Sequence, residues 1–145
     1  MADIQSHDRT SWRLLLAAWL VALSSTFGAL FIGEVMGQQP CVLCWFQRAF
    51  MFPLAVILAV ACFTSDSSVW RYALPLAVVG GLVALYHSLL YGGLIPQGIE
   101  PCGPGPSCTS DAMIVLGWIP IPVLSLAAFT GIIVLLFLVR RRVAA

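Results

Sequence analysis

LLLAAWLVALSSTFGALFI, residues Leu14 to Ile32, carries no charged side chain and decides the fold class. At about 1.5 Å of rise per residue, a helix of this length matches a hydrocarbon core about 30 Å thick. Two more such runs follow, Tyr72 to Leu90 with one proline and Ile114 to Val139. A fourth, from about Trp45 to Phe63, is interrupted only by Gln47 and Arg48. The whole chain of 145 residues is 61% hydrophobic and 9% charged, with a mean hydropathy of +0.99. These values exclude an ordinary soluble domain. The prediction is an all-α membrane protein, a four-transmembrane-helix bundle with spans over about 13–34, 45–63, 71–91 and 114–139.

The connectors leave no room for a second domain, so residues 1–145 read as one unit. The longest, Tyr91 to Met113, is rich in glycine and proline, from Gly92 and Gly93 to Pro104, Gly105 and Pro106. Such a segment is a loop. No internal repeat or low-complexity tract is visible.

The arginines set the expected sidedness. Arg9 and Arg13 precede the first span, Arg71 lies between the second and third, and Arg140, Arg141 and Arg142 follow the fourth. The other two loops, about 35–44 and 92–113, lack arginine, with Arg48 at the mouth of the second span. By the positive-inside rule both termini are cytoplasmic, and those loops face the opposite, oxidising side. A cleaved signal peptide would also start with arginines, but the first apolar run exceeds the usual length of about 7–15 residues, so cleavage is not expected.

Four of the five cysteines form two pairs, one in each outward loop. Cys62, alone in an apolar helix, reads as packing. Cys41 and Cys44 make a C-x-x-C unit in PCVLCWFQR, residues 40 to 48, at the start of the second span. The unpaired N–H groups and dipole of a helix N-terminus favour a thiolate there. Such a pair suits a dithiol cycling through a disulfide, while a static loop-pinning disulfide is the alternative. Cys102 and Cys108 stand in PCGPGPSC, where a disulfide between them is sterically easy. Closing so small a loop stabilises by roughly 2 to 3 kcal/mol, which suits exchange better than reinforcement. The four cysteines also offer ligands for a tetrahedral zinc site, but the gap between Cys102 and Cys108 and the oxidising side disfavour it; no metal is expected.

Arg48 follows Cys44 by one helical turn, so the two side chains share a face, roughly 6 Å apart. A guanidinium just inside the bilayer costs up to about 3 kcal/mol, which snorkelling or a ligand must offset. The sharper reading is that Arg48 stabilises the Cys44 thiolate and donates to the developing oxyanion of a flat, membrane-soluble acceptor. His87 is expected at a comparable depth, either in the acceptor site or hydrogen-bonded among helices. The chain has no dinucleotide fingerprint, no haem-attachment motif and no iron–sulfur cysteine run. A lipid-phase quinone is left as the oxidant, by location and elimination.

With four spans, PCVLCWFQR before the second and a cysteine pair between the third and fourth, the chain resembles the DsbB family of bacterial inner-membrane proteins over about Trp12 to Arg140. The resemblance implies a membrane oxidoreductase that reoxidises a periplasmic thioredoxin-fold partner, DsbA-like, and passes the electrons to ubiquinone or menaquinone, with no nucleic acid involved. It implies that Cys102 is attacked by the partner's thiolate, that Cys108 then exchanges with Cys41 and Cys44, and that Arg48, with His87, binds the quinone. The chain departs from the larger members in its short second outward loop and in Gln47, where some members have glutamate, and resembles the compact members, in which the two cysteines of that loop are close in sequence. A vitamin K epoxide reductase-like protein is the nearest enzyme rival, but its membrane C-x-x-C comes late and its loop pair early. A metal carrier using the four outward cysteines, or a purely structural membrane protein, are the rivals from other classes.

Overall fold

A computed structural model describes residues 2–96, 108, 114–115 and 119–144, with side chains described from Arg9 onward except that of Val115. Cys102 lies outside the described residues. The chain folds as four long helices, α1 (Ala2–Leu30), α2 (Val42–Thr64), α3 (Trp70–Tyr91) and α4 (Ile121–Ala144). All four are long and apolar enough to cross a membrane. They pack in cyclic order, α1 on α2, α2 on α3, α3 on α4 and α4 back on α1.

Each helix turns a stripe of residues spaced three and four apart toward the centre. Leu15, Ala18 and Ala22 do so on α1, Leu54 and Leu58 on α2, Ala73, Ala77 and Ala84 on α3, and Phe129, Ile132 and Leu136 on α4, all fully buried. Alanine and glycine dominate on α3, so a neighbouring backbone can approach closely, as lipid-embedded bundles require. The outward faces are apolar as well, Phe63, Val56 and Tyr72 being among the most exposed. In water that would be a liability, but beside acyl chains it is the ordinary state.

The closest approach is at Gly80. A Cβ there would stand 2.6 Å from Cζ of the fully buried Phe129 ring, closer still to its Cε1, and 3.0 Å from Cβ of Phe50. The ring is enclosed and cannot swing aside. Gly80→Ala is therefore expected to destabilise the bundle by about 1–3 kcal/mol through overpacking. A lowered melting temperature in detergent checks this; an unchanged one would mean that α3 and α4 can separate freely.

Local chemistry sets the helix ends. After α2, Ser65 takes the left-handed conformation (φ 55°), and Asp66 accepts from Ser68 N at 2.9 Å to cap a single 3-10 turn, Ser67–Val69, leading into α3. That bond and the one from the Ser68 hydroxyl hold the Asp66 carboxyl below its ordinary value. α3 closes through Gly93 (φ +73°), with Gly93 N donating to the Leu90 carbonyl and Leu94 N to that of Leu89. Only glycine takes this left-handed position without strain.

Two details depart from the periodicity of the sequence. The first span does not run as α-helix to its end, because Phe31–Val35 forms a π-helical turn, with Met36 N bonded to the Phe31 carbonyl at 3.1 Å. The apolar stretch from Ile114 is not the start of the last span. Ile114 and Val115 pair antiparallel with Pro120 and Ile119 as strands β1 and β2, and α4 begins only at Ile121. Proline explains the break: Pro120 biases Ile119 toward extended backbone, and Pro122 suits the first turn of a helix but not its interior.

Candidate functional site

The site is assembled at the mouth of α2. Pro40 precedes Cys41, which occupies the N-cap of α2 in an extended conformation (φ −69°, ψ 168°), while its carbonyl accepts from Trp45 N. The Cys41 side chain itself makes no capping hydrogen bond. Cys44 lies in the first turn, where helix N–H groups are unpartnered and an anion is favoured. The two sulfurs stand 3.2 Å apart, with the Cys41 thiol donating to Cys44.

Cys41 is almost fully buried, against Leu43, Leu90 and Cys108. The hydrogen bond to Cys44, then burial, push its pKa up to about 12, although hydrogen bonds from His87 and Cys108 pull the other way. The helix end therefore does not yield a Cys41 thiolate: Cys41 holds the proton of the pair and lends it to Cys44. At neutral pH, far below about 12, the reduced pair is expected to react with iodoacetamide first at half-buried Cys44 and only slowly at Cys41. Peptide mass spectrometry after a short pulse checks the order, and equal labelling would contradict this division of roles.

The structure brings one cysteine of the second loop to this point. Cys108, buried in a turn, hydrogen-bonds the Cys41 sulfur, and its backbone carbonyl accepts from His87 Nε2 at 3.2 Å. His87 is fully buried on α3 and stands 3.8 Å from the Cys41 sulfur through the same Nε2. Its other nitrogen, Nδ1, accepts from Gln47 Nε2 at 2.9 Å. These partners place the imidazole proton on Nε2, facing sulfur.

On the other side of Cys44, a cavity of about 470 Å³ opens between α1, α2 and α4. Cys44, Gln47 and Arg48 form part of its wall, with Gln38 and Pro40 from the loop and Ser125 from α4. Arg48 does not reach out to the surface. Its Nη2 donates to the Ala29 carbonyl at 2.8 Å, close to where α1 changes to π-helical register, and its guanidinium stacks 5.5 Å from the Trp45 ring centre. A side chain at Gly33 would meet this guanidinium at 3.2 Å, so the glycine leaves it space.

His87 is not part of the cavity wall; it lies behind Cys41, and Gln47 links the two, hydrogen-bonded to the imidazole and lining the cavity. Gln47 is the residue that sequence reasoning passed over. Its signal was present, an amide inside an otherwise apolar span, and at 5% exposure it can satisfy its hydrogen bonds only within the protein. Cys62, buried in the central core with its carbonyl accepting from the Trp12 indole, stands apart from the site.

The arrangement offers three sulfurs in exchange range on one side and, beside one of them, an apolar cavity with a cationic end. Among its relatives are proteins named for disulfide formation. The chain is 64% identical over 133 residues, 91% of its length and 92% of the other's, to a probable disulfide formation protein of Metapseudomonas resinovorans. It is 39% identical over 126 residues, 87% of its length and 91% of the other's, to disulfide bond formation protein C of Bacillus subtilis. With a probable disulfide formation protein of Deinococcus radiodurans the identity is 42% over 138 residues. No solved structure matches it. The family described as disulfide bond formation protein DsbB matches residues 9–139, nearly the entire four-helix unit, and the chain belongs to that family.

Proposed function

We propose that this multi-pass membrane protein is a protein-dithiol:quinone oxidoreductase of a bacterial inner membrane, reoxidising a periplasmic thioredoxin-fold dithiol oxidase. One observation carries the reading: the Cys41 sulfur meets both Cys44 and Cys108, while Cys44 alone of these lies on the cavity beside Arg48. Electrons entering at the loop pair therefore have a path of adjacent sulfurs to a lipid-side site. Both termini face the cytoplasm in this reading, since Arg140, Arg141 and Arg142 end the chain's last helix.

The cavity suits a quinone head group. It falls within the usual range of about 300–1,000 Å³ for small-molecule sites, and its wall is mainly apolar. Arg48 supplies a donor for a carbonyl, and the buried Oε1 of Gln38, which has no partner among the described residues, supplies an acceptor for the hydroxyl of the reduced product. When bound, ubiquinone or menaquinone takes up two electrons and two protons.

The protein's own steps are exchanges between sulfurs. The partner's thiolate attacks Cys102 of a Cys102–Cys108 disulfide, and Cys108 leaves as thiolate. Cys108 then attacks Cys41 of the Cys41–Cys44 disulfide, expelling Cys44 as a thiolate at the helix N-terminus, one turn from Arg48. The partner's second thiol resolves its bond to Cys102. Cys102 next attacks Cys108, restoring the loop disulfide and expelling Cys41 as a thiolate, which, beside the His87 N–H, takes up the proton lost by the partner's second thiol. Finally the Cys44 thiolate gives up the electron pair toward the cavity, and Cys41 loses its proton as the Cys41–Cys44 bond re-forms. One partner dithiol is oxidised for each pair of electrons delivered.

The Cys44→Ser/Cys102→Ser double variant tests the route, because it removes both resolving thiols. Mild oxidation is expected to join Cys41 to Cys108 in most molecules, seen as a linked peptide pair by mass spectrometry. Two persistent thiols at Cys41 and Cys108 would overturn it. A metal carrier is the second reading, favoured only by the close grouping of Cys41, Cys44 and His87.

A further inference from the structure

The geometry points to a binding site for one thiophilic divalent cation of the zinc class on Cys41, Cys44 and His87 of the reduced protein. The two sulfurs and an imidazole nitrogen lie within 4.8 Å of one another. Around a tetrahedral zinc ion, with bonds of about 2.3 Å to sulfur and about 2.0 Å to nitrogen, sulfurs stand about 3.8 Å apart and sulfur and nitrogen about 3.5 Å. The separations found are 3.2 Å between the sulfurs and 3.8 Å from the Cys41 sulfur to His87 Nε2. Small rotamer shifts close the difference.

Three further features favour a cation. The Cys108 thiol hydrogen-bonds the Cys41 sulfur, adding a third thiol beside the pair. Two thiolates neutralise the dication, which suits a buried site. Gln47 is placed to orient the ligand histidine: its amide now donates to His87 Nδ1 and, turned over, accepts from Nδ1–H, freeing Nε2 for a metal. A carboxylate at that position could serve only the second arrangement.

Binding releases to solvent the thiol protons that Cys41 and Cys44 still carry and moves the imidazole proton from Nε2 to Nδ1, and no electron moves. Granting the dithiol-to-quinone reading, the bound cation ties up both thiolates and holds the protein in its reduced, inactive form until it is withdrawn. Formation of the Cys41–Cys44 disulfide destroys the site, so the cation competes with turnover rather than supporting it.

The test uses the full-length protein in detergent, reduced with a phosphine and titrated with Co²⁺ alone. One Co²⁺ per chain is expected, with the visible bands of tetrahedral cobalt bound to thiolate, displaced by Zn²⁺ and absent once Cys41 and Cys44 are oxidised. Cys41→Ser and His87→Ala should each weaken Co²⁺ binding by at least about tenfold, Gln47→Leu by about 10- to 100-fold, and Cys62→Ala not at all. Absence of these bands in the wild type, or undiminished Co²⁺ affinity in a folded Cys41→Ser variant, would overturn the site. Should the variants fail to fold, Zn²⁺ must protect Cys41 and Cys44 of the wild type from alkylation, and unprotected thiols would overturn it equally. None of these readouts needs quinone or partner, so they stand or fall separately from the proposed activity.

Discussion

Cys44→Ser is expected to reduce quinol formation from a reduced thioredoxin-fold dithiol by on the order of 10⁴-fold, to the background rate. Serine keeps the shape of the side chain in the first turn of α2, so the helices should pack as before. What disappears is, among the described residues, the only sulfur that touches both the Cys41 thiol and the cavity. Cys41 cannot stand in, since it is buried at 1% exposure and faces His87 and Cys108. Absorbance of the quinone, followed with matched amounts of wild type and variant, measures the loss. A variant that retained even a tenth of the rate would place the electron exit elsewhere.

Arg48→Met should raise the KM for quinone by about 10- to 100-fold, the equivalent of one charge-assisted hydrogen bond worth about 1.5–3 kcal/mol. The guanidinium is held in place before any ligand arrives, by the Ala29 carbonyl and the Trp45 ring, so little ordering cost falls on binding. Methionine keeps much of the apolar stem and removes the donor. The thiol-exchange half of the cycle, measured as oxidation of one equivalent of partner without added quinone, should be unchanged. An unaltered KM would reduce Arg48 to a structural tie between α1 and α2.

Much of this architecture is legible in the sequence because the bilayer constrains it so strongly. A run such as Leu14–Ile32 has few alternatives to a spanning helix, and four such runs make a bundle. The C-x-x-C unit and Arg48 could likewise be placed together, since one helical turn fixes their spacing. Contacts between elements were beyond reach. Gln47 and His87 are 40 positions apart, and their hydrogen bond depends on how α2 and α3 are rotated about their axes. Cys108 meets Cys41 through the return of a loop, which no periodicity encodes. Hydropathy also misled at Ile114–Pro120, where apolar strand residues continue into α4 without a change in composition. Pro120 and Pro122 are the residues that carry the signal of the break.

His87 shows how the depth of a residue in a span leaves its neighbours open. Equal depth in the membrane suggested the acceptor site, but depth does not fix azimuth, and α3 turns the imidazole toward sulfur. That position makes it a partner of the dithiol, with Gln47 as its tie to the cavity.

In the proposed cycle, electrons leave a partner dithiol and arrive on a membrane quinone through this one chain. The most direct test of that cycle is stoichiometry in a reconstituted system: purified protein in lipid nanodiscs, excess quinone and a measured amount of reduced thioredoxin-fold dithiol, without oxygen. One quinol is expected for each partner disulfide formed, over many turnovers. Partner oxidation without matching quinol, or quinone left untouched while thiols disappear, would contradict it.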